Sequence, residues 1–130
     1  MDHYLKKEIT YSFGKRELRF DVGNTLFSTF QIDRGTDMLL GAIDYSNPKT
    51  ILDIGCGYGP IGIALASKYP QAQVTMVDRD LLAVRYTEHN IAKNKIDNAR
   101  ALGSIGIEQV GDETFDLIVS NIPAKIGDEA

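Results

Sequence analysis

The sequence contains one cysteine, Cys56, no tryptophan and two histidines among its 130 residues. A single thiol excludes an internal disulfide and a multi-thiolate metal centre. His3 and His89 lack ligand spacing, so no metal site is expected. No apolar run approaches the ~20 residues of a membrane span, and Met1 to Lys7 lacks the apolar stretch of a signal peptide. A cytoplasmic protein without a membrane partner is expected. A basic excess is also missing. The 14 Lys and Arg stand against 18 Asp and Glu, a net charge of −4, which argues against a dedicated nucleic-acid-binding module. Repeats and low-complexity stretches are absent. At 43% hydrophobic and 25% charged residues, the composition is that of one globular domain. Charge is uneven along the chain: residues 1–20 carry five basic and three acidic groups, residues 101–130 one basic and six acidic. A solvated surface accounts for such asymmetry.

What is present is periodic. Ile9, Tyr11 and Phe13 alternate with polar residues, as do Leu18, Phe20 and Val22, with Gly14-Lys15 between. Period-two alternation around a glycine turn predicts a β-hairpin with one buried face. Thr25 to Phe30 reads as a short strand or loop. A helix follows from Asp33, with Met38, Leu39, Ala42 and Ile43 on one face, ended by Ser46-Asn47-Pro48. From Lys49 the pattern alternates. Strands are predicted at Thr50–Ile54, Val74–Val77, Ala99–Leu102 and Phe115–Ser120. Helices are predicted at Pro60–Lys68 and Asp80–Lys93. Strands separated by helices of this length imply βαβ units, a parallel sheet and right-handed crossovers.

The sharpest local signal is Ile51-Leu52-Asp53-Ile54-Gly55-Cys56-Gly57-Tyr58-Gly59-Pro60-Ile61-Gly62. Glycines where a strand turns into a helix allow a sharp bend and a close approach of a ligand to the main chain. Asp78 lies 23 residues after Gly55, at the end of the next strand, where a carboxylate can accept from both hydroxyls of an adenosine ribose. Two cofactor classes fit. Gly57-x-Gly59-x-x-Gly62 matches the dinucleotide fingerprint, which would make a nicotinamide oxidoreductase. Gly55-x-Gly57-x-Gly59 preceded by Asp53 suits a cofactor bearing an amino group and a sulfonium. A carboxylate so close to the turn repels a pyrophosphate, which favours the second reading.

These residues, with Val77-Asp78 and Ser120-Asn121-Ile122-Pro123, resemble the class I S-adenosylmethionine-dependent methyltransferases. Phe27 to Leu40 and Leu52 to Ala64 look most like the methyltransferase small domain family, which includes ribosomal RNA guanine-N2 methyltransferases. The resemblance runs from about Tyr11 to the end of the chain. It implies that Asp53, Gly55, Cys56, Gly57 and Gly59 hold the methionine part of S-adenosylmethionine. It likewise implies that Asp78 binds the ribose and that Arg79 or Asp80 borders the adenine. The acid usual after the third strand is missing, which leaves Ser104 as the candidate there. Asn121, Ile122 and Pro123 stand at the family's Asn-Pro-Pro-aromatic motif, so they are the expected catalytic residues. The Asn121 side-chain oxygen and the Ile122 carbonyl would accept the two N–H groups of a planar amine, with Pro123 fixing the turn. Ala124 replaces the aromatic that stacks on a target base.

The expected fold is α/β: a Rossmann-like parallel sheet with flanking helices, the N-terminal half of a class I methyltransferase fold, preceded by a β-hairpin. Residues 1–32 form the hairpin extension and 33–130 the cofactor-binding domain, expected to be incomplete at its C-terminus. Self-association through the uncovered sheet edge is then expected. The substrate implied by the resemblance is guanine in ribosomal RNA. A protein glutamine amide and a catalytically inactive cofactor-binding fragment remain alternatives. Cys56 is read as a small packing residue rather than a nucleophile, and His89 as exposed on a polar helix. Tyr11, Phe13 and Phe20 are expected in the hairpin core, while Phe27, Gln31 and Asp33 are candidates for the substrate border by resemblance.

Overall fold

The computed structural model describes residues 6–13, 16–23, 43, 47–105 and 108–120. Two strands, β1 (Lys6–Phe13) and β2 (Arg16–Gly23), pair antiparallel, with Tyr11 opposite Leu18 and Ile9 opposite Phe20. This is the predicted hairpin. Its alternation buries Leu18, Phe20 and Val22. The expected turn at Gly14-Lys15, the strand or loop at Thr25–Phe30 and the helix from Asp33 lie outside the described residues, except Ile43, expected on the helix face, which is in neither helix nor strand.

The second sheet comprises β3 (Thr50–Ile54), β4 (Gln73–Asp78), β5 (Ala99–Gly103) and β6 (Leu117–Ser120), all parallel in the order β5-β4-β3-β6. Helix α1 (Pro60–Lys68) joins β3 to β4, and α2 (Leu81–Lys93) joins β4 to β5. Pro60 occupies the first turn of α1, where its missing N–H costs nothing. Asp80 caps α2 by accepting from the Leu82 amide at 2.9 Å. The strand order reverses between β3 and β6. The crevice at the carboxyl ends of those strands is where open α/β sheets bind ligands.

Continuous apolar strands such as Leu117-Ile118-Val119 lead one to expect a sheet covered on both faces, but Ile118 of β6, level with Leu52, stays 57% exposed on the second face. One core joins Ile51, Val74 and Met76 to α1 (Ile61, Ile63, Leu65), to Tyr86 of α2 and to Leu18 and Phe20 of the hairpin. Phe20 meets Tyr58 edge-on, ring centroids 5.7 Å apart. The opposite face packs Leu52 and Val77 with Val110, Ile54, Leu102 and Phe115. β6 begins at Leu117 rather than Phe115, and just before it the Asp116 amide donates to the carbonyl and hydroxyl oxygens of Thr50, each at 3.0 Å.

Asparagines at the ends of chain segments join the layers. Asn98 donates through Nδ2 to the carbonyls of Ala66, Tyr69 and Ala72, at 3.1, 3.1 and 2.9 Å. The hairpin is tied to α2 along the backbone of β2 by Asn90 and Asn94. Asp21, buried on β2, meets His89 Nε2 at 2.6 Å and Lys93 Nζ at 3.2 Å. His89 is therefore half-buried and hydrogen-bonded to Asp21, correcting its expected exposure. The helix face that looks polar in sequence is the face on which the hairpin docks. Among the described residues, no helix is long and apolar enough to cross a membrane, and no three His, Cys, Asp or Glu side chains are grouped to hold a metal ion.

Candidate cofactor site

The site grows from the end of β3. Gly55, Gly57 and Gly59 all have positive φ, at 76°, 61° and 102°. A side chain at any of them would be strained, so the loop shape requires glycine. The Gly55 and Cys56 amides both donate to the Val77 carbonyl, at 2.8 and 3.0 Å, which pins the loop to the end of β4. Gly59 donates to the Cys56 carbonyl at 2.9 Å and leads into α1. Gly62 allows α1 to press on the sheet. A Cβ there would lie 2.2 Å from Met76 Sδ and 3.0 Å from Asp53 Oδ2. The last glycine of the dinucleotide-like pattern thus serves helix–strand packing.

Asp53 shares the face of Ile51, two residues back on β3, and turns under α1. Its Oδ2 accepts from the Gly62 amide at 3.1 Å, while Oδ1 is buried with no hydrogen-bond partner. Burial pushes its carboxyl up to about 7 from an ordinary 3.8. The Gly62 amide opposes the rise and the Asp78 carboxylate adds to it. An oxygen left in this state is costly for the folded protein and points to a positively charged or donating ligand.

Asp78 ends β4 beside the loop. Its Oδ2 accepts from the Gly57 amide and its Oδ1 from the Asp80 amide, each at 2.9 Å. Carboxylate oxygens accept more than one bond each, so this half-buried group retains lone pairs for a ligand hydroxyl. The Ser104 amide donates to the Asp78 carbonyl at 2.9 Å, bringing the ends of β4 and β5 together, with Ser104 itself buried. Arg79 is exposed at the same edge. Cys56 is buried, its Sγ 3.5 Å from Thr87 Oγ1. Burial first, and Asp53 next, push its thiol far above the ordinary range. Such a thiol does not ionise at neutral pH and is no nucleophile, in line with its reading as a packing residue.

The structure thus brings Asp53, Gly55, Cys56, Gly57, Gly59, Asp78, Arg79 and Ser104 to one end of the sheet. Asn121, Ile122 and Pro123 lie outside the described residues. Ser120 is registered against Ile54, one residue before the glycine turn. Two apolar side chains at this end were missed by sequence reasoning. Leu81 is 67% exposed at the start of α2, and Ile105 is 71% exposed after β5. The available signal was a Leu-Leu pair opening an otherwise polar helix. Thr87 and Asn90, behind the loop, were missed as well.

Known proteins resemble this chain in sequence and in fold. The methyltransferase small domain model matches residues 17–130. The ribosomal RNA small subunit methyltransferase C of Pasteurella multocida is 38% identical over 102 residues, covering 78% of this chain and 30% of that protein. The YbxB protein of Bacillus subtilis is 33% identical over 122 residues, covering 91% of this chain and 61% of its own length. The chain therefore spans about 30% of the curated ribosomal RNA methyltransferase it matches. Among solved structures, the T. thermophilus 16S rRNA N2 G1207 methyltransferase, in complex with AdoMet and guanosine, superimposes with a TM-score of 0.82 at 28% identity. It covers 95% of this chain and 34% of that one. A Pyrococcus abyssi tRNA (uracil-54, C5)-methyltransferase shares the fold, with a TM-score of 0.66 at 20% identity over 91% of this chain and 29% of that one. With the sheet order, the glycine loop and the family model in agreement over most of its length, the chain belongs to the methyltransferase small domain family, among the class I S-adenosylmethionine-dependent methyltransferases.

Proposed function

We propose that this chain binds S-adenosylmethionine and serves methyl transfer to an exocyclic amine, that of guanine in ribosomal RNA. The observation that carries the reading is the buried Asp53 carboxyl. Its unpartnered Oδ1 lies at the foot of a loop of three left-handed glycines, which runs past half-buried Gly55 and is held by half-buried Asp78. An ammonium group satisfies that oxygen, whereas a diphosphate is repelled by it and by Asp78. This counts against a nicotinamide dinucleotide. The residues present fit the cofactor. Asp53 and the 55–59 backbone suit its amino-acid end, Asp78 its ribose, and Leu81, Ile105 and Ser104 the faces and edge of its adenine.

When bound, the cofactor supplies an electrophilic methyl group on a sulfonium. The protein's own part is positioning. Asn121, through its side-chain oxygen, and Ile122, through its carbonyl, would accept the two N–H groups of the target amine and aim its lone pair. Pro123 would hold that turn. The Thermus relative, whose structure holds AdoMet and guanosine, supports guanine as the target.

Thermal-shift titration tests the cofactor. S-adenosylhomocysteine is expected to raise Tm and NAD to leave it unchanged, because a ligand specific for the folded state stabilises it. Stabilisation by NAD alone overturns the reading. Asp78→Ala is expected to abolish the shift. Methyl transfer from labelled cofactor into small-subunit ribosomal RNA tests the substrate, and Asn121→Ala is expected to lower it ~100-fold or more.

A further inference from the structure

Thr87 and Asn90 of α2 and Asn94, which caps its C-terminus, lie three and four residues apart, so they share one helix face. All three are buried. Thr87 Oγ1 donates to the Gly57 carbonyl at 2.8 Å, holding the glycine loop from behind. Asn94 faces the hairpin and its own helix. It accepts from the Arg19 amide at 2.9 Å and donates to the Arg19 carbonyl at 2.7 Å and the Asn90 carbonyl at 2.8 Å. Asn90 does both jobs. Its Nδ2 donates to the Tyr58 carbonyl in the loop at 2.8 Å and to the Asp21 carbonyl in β2 at 3.1 Å. Its Oδ1 accepts from the Asp21 amide at 2.8 Å. The amide group has two donor hydrogens and one acceptor oxygen, and every one of them is engaged between hairpin and loop.

We propose that Asn90 is a positioning residue that couples docking of the hairpin to the shape of the 55–59 loop, and so raises cofactor affinity without touching the cofactor. The inference rests on the cofactor reading above. Its physical basis is the freedom of a loop containing three left-handed glycines. A loop already held in its binding shape loses less entropy when the ligand arrives. Asn90 holds the loop at Tyr58, and the hairpin holds Asn90. The adjoining pairs of Asp21 with His89 and Lys93, and of Lys93 with Glu8 at 2.7 Å, secure the same strand. These side chains secure the strand, whereas Asn90 and Thr87 hold the loop carbonyls.

Calorimetric titration of the 130-residue chain with S-adenosylhomocysteine tests the coupling, with Asn94→Ala as the matched control. Both Asn90→Ala and Asn94→Ala are expected to lower Tm, since both untie the hairpin. Asn90→Ala is expected to weaken binding roughly tenfold, the worth of about one buried hydrogen bond, and Asn94→Ala by less than about twofold. Equal affinity in Asn90→Ala and wild type overturns the inference. So does an equal loss in both variants, which reports general loosening. If Asn90→Ala does not fold, amide exchange of the wild type decides: bound ligand must slow exchange at Asp21, and an unchanged rate overturns the coupling. Absence of binding heat with wild type removes the cofactor reading itself, and this inference with it.

Discussion

The two ends of the parallel sheet treat their polar groups differently. At the amino end, Asn98 gives its amide to three carbonyls. The Lys49 amide donates to Asp116 Oδ2 at 2.7 Å, and Thr50 accepts from the Asp116 amide. Each contact joins two segments. At the carboxyl end, Asp53 is buried with one oxygen unpartnered, Asp78 is shared between two amides, and Leu81 and Ile105 stand exposed. The amino end is built for stability. The carboxyl end carries local costs that a bound molecule can relieve, as expected where open α/β sheets bind ligands.

The largest effect that would break this contrast concerns Asp53. Its carboxyl titrates near 7 when folded and near 3.8 otherwise. The folded state therefore holds a proton that the unfolded state has lost. Stability should fall as pH rises from about 4 to about 7 and stay level above, by up to ~1.4 kcal/mol per unit across that window. Asp53→Asn is expected to remove this dependence, to be more stable than wild type at pH 8, and to lose S-adenosylhomocysteine binding. Urea denaturation at several pH values checks it, and a variant with the same pH slope would sink the account. Next, Asn98→Ala removes a donor from the Ala66 and Ala72 carbonyls, while that of Tyr69 keeps the Ala72 amide, and is expected to cost ~2–3 kcal/mol, with ligand affinity unchanged in the population that stays folded. Gly62→Ala is expected to cost ~1–3 kcal/mol by overpacking against Met76, and also to weaken binding because it disturbs Asp53. Measuring stability and affinity together places this residue between the two ends. The smallest effect is expected for Glu113→Gln, which breaks an exposed pair with Arg100 and should change stability by less than ~0.5 kcal/mol.

Most of the fold was legible before the structure. Hairpin, parallel strands and both helices followed from periodicity, and the loop followed from its glycines. The family resemblance pointed to the same acids, Asp53 and Asp78, that the structure gathers at one end. What escaped sequence reasoning has a common cause. Asn90, Asn94 and His89 read as an ordinary polar helix face, because nothing local says that a hairpin some 70 residues away covers it. The same holds for Leu81 and Ile105, single apolar residues that acquire meaning only when the ends of β4 and β5 come together.

The sequence alone determined the glycine turn, its two acids and the alternation of strands and helices, since backbone strain and side-chain period act over a few residues. Only the tertiary structure decided which carboxylate oxygen goes without a partner and which asparagine grips both loop and hairpin. Those bonds join groups 69 and 32 residues apart, and hydrogen bonding at that range depends on how the layers pack.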